Sequence, residues 1–222
     1  MYSIKFKSVT YFIVTALIIA FSSKLCLADL YSGSLSVNGG GIYATDGWNN
    51  NLTTISWTVT PIVGGYNYSY TFTVPDDTKE LSHIIFEVSE NFTDSDFLSS
   101  ISYDLDTFDS GNDNPGIPGN IYGIKFDIPQ SEEGEEVYTW TLTFDTTRMP
   151  MWGDFYAKDG VYNPQGAPSI DVYAYNTSFG LPHTDNSPYH IAVPDTYVPI
   201  PPAVLLGMIG IGIAGIKLRK YA

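Results

Sequence analysis

Alternating apolar and polar side chains are the feature of this sequence that most constrains its fold. Along residues 66–74, tyrosine, phenylalanine and valine occupy every second position, and asparagine, serine and threonine stand between them. The same period of two recurs over residues 54–59, 122–128 and 138–144. Successive side chains of a β-strand point to opposite faces of the sheet, so each stretch predicts a strand with one face on a core. This pattern is typical of antiparallel sheets.

Shorter or less regular stretches raise the number of predicted strands to seven or eight. Residues 30–37 predict a first strand, and residues 81–88 are apolar continuously enough to be buried on both faces. Weaker candidates lie at residues 155–157 and 170–174, and a helical turn is expected near residues 92–101. Glycine, asparagine, aspartate and proline separate the strands. We therefore predict an all-β fold, an antiparallel β-sandwich of the jelly-roll type.

The negative charge of the chain is concentrated in its central part. All 24 acidic residues lie between Asp29 and Asp195. The basic residues within 29–198 are Lys79, Lys125, Arg148 and Lys158. Because 24 acidic and four basic residues leave a net formal charge of −20, compared with −14 for the whole chain, this body repels nucleic acid and anionic lipid. We expect no nucleic-acid partner.

The N-terminal segment follows the pattern of a secretory signal peptide. Two lysines lie within the first seven residues, and an apolar run of eleven residues follows at 11–21. Such a run is too short to span a bilayer as a mature helix. Small residues at Cys26 and Ala28 predict cleavage between Ala28 and Asp29. An uncleaved anchor and a lipid on Cys26 are the alternatives, and Leu25 disfavours the second because a lipobox has a small residue there.

The last 25 residues have three parts in a distinctive order. They are the motif Val198, Pro199, Ile200 and Pro201, an apolar run over residues 203–216, and a basic cluster of Lys217, Arg219 and Lys220. The run would form a helix roughly 21 Å long, shorter than the ~30 Å hydrocarbon core of a bilayer. The basic cluster would keep the end of the chain in the cytoplasm. The order predicts a short transmembrane helix with the proline motif on its outer side.

This order resembles the PEP-CTERM sorting tail, the tag that exosortases recognise on exported proteins of Gram-negative bacteria that make extracellular polysaccharide. The usual motif is Val-Pro-Glu-Pro, and Ile200 in place of the glutamate makes this motif closest to the Val-Pro-Leu-Pro variant. The resemblance implies an exosortase-like membrane protease as partner and transient anchoring in the inner membrane, with the tail cut near residues 198–201. A permanent anchor is the alternative, since bilayer thinning accommodates a short helix.

These segments divide the chain into four parts. Residues 1–28 are the predicted signal peptide, and residues 29–181 are the β-sandwich domain. Residues 182–197 form a polar, proline-containing spacer, and residues 198–222 form the sorting or anchor tail. The single cysteine, Cys26, lies in the signal peptide, so the mature body must fold through core burial and without a disulfide.

An acidic loop over residues 103–119 offers candidate metal ligands. They are Asp104, Asp106, Asp109 and Asp113, whose carboxylate oxygens suit calcium. Counted from Asp104, the EF-hand pattern fails, because phenylalanine and aspartate stand where an oxygen donor and a glycine are required. An irregular calcium site is one hypothesis and a solvated acidic loop is the other. No further cofactor is expected.

Aromatic and acidic side chains also occur close together near residue 152. Trp152, Asp154 and Tyr156 could stack on a sugar ring and accept hydrogen bonds from its hydroxyl groups. The alternative is a core strand that enters a Lys-Asp-Gly turn, and the composition favours this alternative.

No arrangement of residues in the sequence identifies an enzyme. A Gly-x-Ser-x-Gly motif does not occur, and the predicted mature body lacks a cysteine nucleophile. His83, His183 and His190 have no recognised metal-ligand spacing. Paired carboxylates leave a glycosidase as an alternative, but such pairs arise by chance in so acidic a body. We expect a protein without enzymatic activity.

Together these features predict an exported protein of the cell surface or extracellular matrix of a Gram-negative bacterium, associated with exopolysaccharide and biofilm. A secreted carbohydrate-binding module with extracellular polysaccharide as its ligand is the alternative. A polysaccharide-degrading enzyme is a third and weaker one. Jelly-roll sandwiches host all three functions, so the predicted fold does not choose between them.

Overall fold

The computed structural model of the protein describes residues 31–76, 78–111, 113–128, 137–159, 170–183 and 188–196. The predicted signal peptide and the sorting tail lie outside these residues, and both stay predictions. Within the described ranges, no helix has the length and the apolar character needed to cross a membrane.

Strands dominate the described residues, with two short 3-10 helices at Asp46–Trp48 and Asp94–Asp96. The strands in chain order are β1 (Tyr31–Ser36), β2 (Ile42–Ala44), β3 (Thr54–Ile62), β4 (Gly65–Thr73), β5 (Leu81–Glu87), β6 (Asp104–Phe108), β7 (Ile121–Asp127), β8 (Thr139–Thr146), β9 (Met149–Gly153), β10 (Phe155–Asp159), β11 (Tyr173–Asn176) and β12 (Ile191–Thr196). All their pairings are antiparallel. The prediction of an all-β antiparallel fold is therefore confirmed, with more strands than the alternation indicated.

The strands form three sheets. Four strands make the first sheet, in the order β1-β3-β4-β8, and six make the second, in the order β2-β11-β10-β5-β7-β6. β9 and β12 pair with each other as a two-stranded third sheet. A tight turn at Val63 and Gly64 joins β3 to β4, and the φ of +88° at Gly64 is one that glycine adopts without strain.

Alternate residues of the two larger sheets meet in one hydrophobic core. Tyr68, Tyr70 and Phe72 of β4 are buried, as the alternation predicted, and the ring centroids of Tyr70 and Phe86 lie 4.1 Å apart across the sheets. The same cluster of buried side chains includes residues of β12. Each aromatic ring buries roughly 150–250 Å² at about 25 cal/mol per Å², so these rings are the main stabilising contribution. Two sheets packed on a shared core are the arrangement of a β-sandwich.

A ladder of tyrosines crosses the face of the six-stranded sheet that points away from the main core. Tyr156, Tyr175 and Tyr43 are direct cross-strand partners on β10, β11 and β2. Tyr156 is fully buried beside Ile117, and its hydroxyl donates to the carbonyl of Pro115 at 2.8 Å. Tyr43, on the edge strand, is 46% exposed. The tyrosine ladder therefore runs from the covered centre of the six-stranded sheet to its exposed edge strand, β2.

A buried arginine fastens the segment between β5 and β6 to the four-stranded sheet. Arg148 lies between β8 and β9, and its Nη2 is 2.9 Å from Asp96 Oδ2. The guanidinium also donates to the side chain and the backbone carbonyl of Asn91 and lies over the ring of Phe92, 5.4 Å from its centroid. Asp96 in turn accepts from the backbone N–H of Thr93, closing the capping box of its short helix.

The spacer predicted over residues 182–197 is wrong for its second half. Residues 191–196 form β12, and Ile191, Ala192 and Val193 are buried in the core. The hydroxyl of Tyr70 donates to the carbonyl of Ala192 at 2.7 Å. Pro194 concealed this strand from pattern analysis, because proline cannot donate to a ladder and usually argues against a strand. The folded body therefore extends to residue 196.

Candidate functional site

Asp154 is the single residue between β9 and β10, and its carboxylate is buried in the body. Asn176, the last residue of β11, donates to Asp154 Oδ1 at 2.7 Å, and the N–H of Gly180 donates to Oδ2 at 2.7 Å. Asn176 is itself held, since its Oδ1 accepts from the N–H of Phe155 at 2.9 Å. These bonds fix the position and the direction of the carboxylate.

Two histidines from the segment between β11 and β12 approach the same carboxylate. His190 Nδ1 lies 2.9 Å from Asp154 Oδ1, and His183 Nε2 lies 3.7 Å from Asp154 Oδ2. The two imidazole rings are nearly perpendicular, at 73°, with their centroids 4.8 Å apart. His190 is buried, whereas the side chain of His183 is 23% exposed. One histidine therefore belongs to the interior and the other to the surface.

Glu87, the last residue of β5, brings a second carboxylate to this place. Its Oε2 accepts from the backbone N–H of Asp154 at 2.9 Å and lies 3.2 Å from His183 Nε2. The side chain of Glu87 is 30% exposed. We call these four residues, Glu87, Asp154, His183 and His190, the Asp154 cluster.

The surroundings of Asp154 keep its carboxyl group ionised. Burial alone raises the pKa of Asp154, because the interior solvates a charge poorly. The contact with His183, the hydrogen bonds from Gly180 and Asn176, and the charge of His190 together outweigh burial, so the pKa of Asp154 lies below its usual value. The group is a carboxylate at neutral pH and can act as an acceptor or as a ligand.

The cluster has the donor set of a metal site. One donor atom from each of Asp154, His183 and His190 can be chosen so that all three lie within 4.8 Å of one another. No other histidine, cysteine, aspartate or glutamate side chains form such a group of three in the part of the chain that the structure describes. Imidazole nitrogen and carboxylate oxygen together suit divalent transition metals, and the same groups can also share protons in a hydrogen-bonded network.

An open pocket lies directly beside the cluster. It has a volume of about 240 Å³ and is lined by Tyr31, Pro150, Met151, Trp152, His183 and Ala192. Trp152 is 37% exposed, and its ring packs edge-on against Trp57 with the centroids 6.4 Å apart. His183 belongs both to the pocket and to the Asp154 cluster, so the cluster can be reached from solvent.

The structure separates the three residues predicted to bind a ligand. Trp152 lines the pocket, Asp154 lies at the centre of the cluster, and Tyr156 is a fully buried member of the tyrosine ladder. Because a buried ring cannot stack on a sugar, Tyr156 is excluded from a binding surface. For Tyr156 the alternative prediction, a core strand, is confirmed.

The four aspartates considered as calcium ligands do not converge. Asp104 and Asp106 are exposed on β6, at the edge of the six-stranded sheet, and no three of the four form a metal-ligand group among the described residues. Asp109 Oδ1 instead accepts from the N–H of Gly111 at 2.7 Å. Charged residues on an edge strand discourage pairing with another chain, which accounts for the acidic character of β6.

Sequence analysis missed the roles of His183 and His190. Six residues separate them, and Asp154 lies 29 positions before His183, so no spacing along the chain connects the three. Only the pairing of β9 with β12 and of β10 with β11 brings them together. Both histidines lie in residues 182–197, which were predicted to be a spacer. Their presence together in this one segment was the only signal in the sequence of a shared site.

Comparisons with known proteins do not identify the chain. Neither protein-family models, nor curated proteins, nor solved structures gave a match to it. The functional argument therefore rests on the sequence and on the geometry of the site.

Proposed function

We propose that this chain is an exported protein of the bacterial cell surface or extracellular matrix, without enzymatic activity, whose body is a jelly-roll type of β-sandwich. The strongly acidic body suits a soluble protein outside the cell. The two ends of the chain supply the export signal and the sorting tail, with an exosortase-like protease of the inner membrane as partner. The observation that carries the proposal is the order of proline motif, apolar run and basic cluster over residues 198–222.

The described body fits this proposal at both of its ends. β1 begins at Tyr31, so cleavage between Ala28 and Asp29 would leave every described strand intact. β12 ends at Thr196, two residues before Val198, so a cut at the proline motif would also spare the body. Both proposed cuts therefore lie outside the strands that the structure describes.

Mass spectrometry of the protein from its host tests both cuts. We expect an N-terminus at Asp29 and loss of residues 202–222, because the apolar run is too short for comfortable spanning and the proline motif cannot join the helix. Deletion of the host exosortase should preserve the tail. A surface-localised form that retains Lys217 to Ala222 would show that the tail is a permanent anchor, and an intact Met1 would refute signal cleavage.

Replacement of both prolines of the motif separates processing from anchoring. Alanine at Pro199 and Pro201 should trap the uncut protein in the inner membrane, since the protease would lose the extended backbone that it grips. The same double replacement at Pro61 and Pro150, which lie on β3 and β9, serves as a control and should leave processing unchanged. Equal processing of the two variants would refute a role for the motif.

A carbohydrate-binding function is the second candidate, and the pocket beside Trp152 favours it. An exposed tryptophan and Tyr31 line this pocket together with polar His183, and a sugar is bound through such aromatic faces and polar groups. Saturable binding on a glycan array, lost in Trp152→Ala and kept in Tyr43→Ala, would support this function. Tyr43 is a matched control because it is an exposed aromatic residue outside the pocket. Release of reducing sugar would instead indicate the third alternative, a polysaccharide-degrading enzyme.

A further inference from the structure

We propose that Asp154, His183 and His190 bind one divalent transition metal ion of the zinc class at the margin of the Trp152 pocket. The inference is independent of how the protein is exported or sorted. It rests on four features of the Asp154 cluster: the spacing of the donor atoms, the charge of the buried carboxylate, the hydrogen bonds that orient it, and a path from solvent.

The donor atoms have the spacing of metal ligands. Ligands held ~2.0–2.2 Å from an ion lie about 3.0 Å apart at octahedral angles and about 3.4 Å apart at tetrahedral angles. His190 Nδ1 lies 2.9 Å from Asp154 Oδ1 and His183 Nε2 lies 3.7 Å from Asp154 Oδ2, and one donor atom from each residue can be chosen so that all three lie within 4.8 Å of one another. Small side-chain movements would therefore place all three around one ion.

The charge of Asp154 is balanced differently from that of the other buried aspartates. Three aspartates are buried among the described residues: Asp96, Asp154 and Asp159. Asp96 pairs with Arg148 at 2.9 Å and Asp159 pairs with Lys79 at 2.7 Å, so each has a permanent cation. The ion-pair partners of Asp154 in the described structure are only the two histidines.

The neighbouring carboxylate of Glu87 adds to the negative charge of the cluster. A buried charge requires compensation, and a divalent cation would supply it for the carboxylate of Asp154. Glu87 Oε2 lies 3.2 Å from His183 Nε2, outside the group of three donor residues, and is placed as a hydrogen-bond and charge partner of His183.

The surroundings supply what a metal ligand needs from its neighbours. Asn176 and Gly180 donate to the carboxylate of Asp154 and hold it in one direction, as outer partners of metal ligands do. His183 lines the pocket and is partly exposed, so an ion can enter from solvent and a coordination position can face the pocket. Ligand identity, outer partners and an entry path are among the features that a metal site requires, and the Asp154 cluster has them.

The donor set decides the class of ion. Imidazole nitrogens suit zinc and its neighbours in the first transition row, whereas calcium takes six to eight oxygen ligands and magnesium retains water and carboxylates. Two histidines and one carboxylate therefore favour zinc over the calcium that the acidic composition suggests.

Equilibrium dialysis of the full-length chain, solubilised in detergent and stripped with chelator, against Zn²⁺ alone tests the proposal. The titration is run at about 1 M salt, where the Debye length falls to ~3 Å and diffuse attraction to the acidic body is screened. We expect one zinc ion per chain. The zinc absorption edge should show nitrogen and oxygen ligands with the scattering of two imidazoles.

Variants locate the ion. His183→Ala should weaken zinc binding at least ~100-fold, because loss of even an outer partner costs about 10–100-fold. His183 is partly exposed, and Asp154 keeps its bonds to Asn176 and Gly180, so this variant should fold. Asp154→Ala is the second test. His83→Gln is the control, because His83 is a histidine outside the cluster that contacts Asn114.

Each outcome of these zinc-binding measurements either supports or overturns the proposed site. Stoichiometric binding that is lost in His183→Ala and Asp154→Ala and kept in His83→Gln establishes the site. Unchanged affinity in folded His183→Ala protein, binding of calcium in preference to zinc, or no saturable binding would each overturn it. In the last case the cluster is a hydrogen-bonded network that joins β10, β11 and the start of β12.

Discussion

Removing the guanidinium of Arg148 should cost more stability than removing the charge of an exposed ion pair in the body. In Arg148→Met a side chain of similar length fills part of the space but leaves Asp96, whose side chain is 12% exposed, without its cation. Breaking a buried ion pair from one side costs about 3–5 kcal/mol. Asp96 keeps three donors, the N–H of Thr93 at 2.9 Å, the hydroxyl of Thr93 at 3.2 Å and the hydroxyl of Thr147 at 3.1 Å. We therefore expect the lower part of that range, about 3–4 kcal/mol.

Further contacts of Arg148 add to this loss. The cation over Phe92 contributes about 0.5–2 kcal/mol, and the hydrogen bonds to Asn91 disappear with the guanidinium. The burial of the methionine side chain offsets part of the deficit. A domain of this kind has a total stability of about 5–15 kcal/mol. If the wild type lies at the lower end of this range, the variant should be only marginally folded.

Urea unfolding followed by tryptophan fluorescence measures the effect. Lys125→Met is the matched control, because Lys125 pairs with Asp127 at 3.1 Å but the carboxylate is 66% exposed. An exposed pair contributes about 0–1 kcal/mol, so the control should remain close to the wild type. A loss below about 1 kcal/mol in Arg148→Met would refute the claim that this arginine fastens the segment between β5 and β6.

Two further predictions concern buried polar side chains. Burial, with Lys125 nearby, lowers the pKa of His83 from 6.5 to about 4, so the folded state resists a proton that the unfolded state takes up. The free energy of unfolding should therefore fall by about 2 kcal/mol from pH 7 to pH 5. In urea titrations, His83→Gln should remove this part of the pH dependence. A pH dependence that stays unchanged in the variant would contradict the prediction. Tyr70→Phe should cost about 1–3 kcal/mol in the same assay, because the carbonyl of Ala192 loses its 2.7 Å donor, and a neutral result would show that this bond does not hold β12.

Strands with a regular alternation or a continuous apolar run could be predicted from the sequence. Ile55, Trp57 and Val59 of β3 are buried on one face, as their alternation indicated. β5 was predicted to be buried on both faces, and Ile84 and Ile85 are both buried. These predictions succeeded because successive side chains of a strand point to opposite faces. The local sequence therefore records which face of the strand is buried.

The short strands and the site depend on contacts that no local pattern records. In β12, Pro194 lies opposite Pro150 of β9, and the register shifts between Pro194 and Thr196. The alternation of apolar and polar residues is therefore interrupted within the paired part of the strand. The acidic β6 resembles a loop in composition, yet it completes the edge of a sheet. The convergence of His183 and His190 on Asp154 depends on strand pairings between distant segments, which the sequence of each segment does not contain.

If the apolar run inserts into a membrane as proposed, the end of β12 at Thr196 limits how far the body can lie from that membrane. Six residues, 197–202, connect that strand to the apolar run, and a fully extended chain spans at most ~3.6 Å per residue, or about 22 Å in all. If the run inserts as we propose, the tether is shorter than the bilayer is thick. A processing protease must then work in a gap bounded by lipid on one side and by the folded third sheet on the other. Inserting glycine and serine residues after Thr196 should widen this gap and speed the cut.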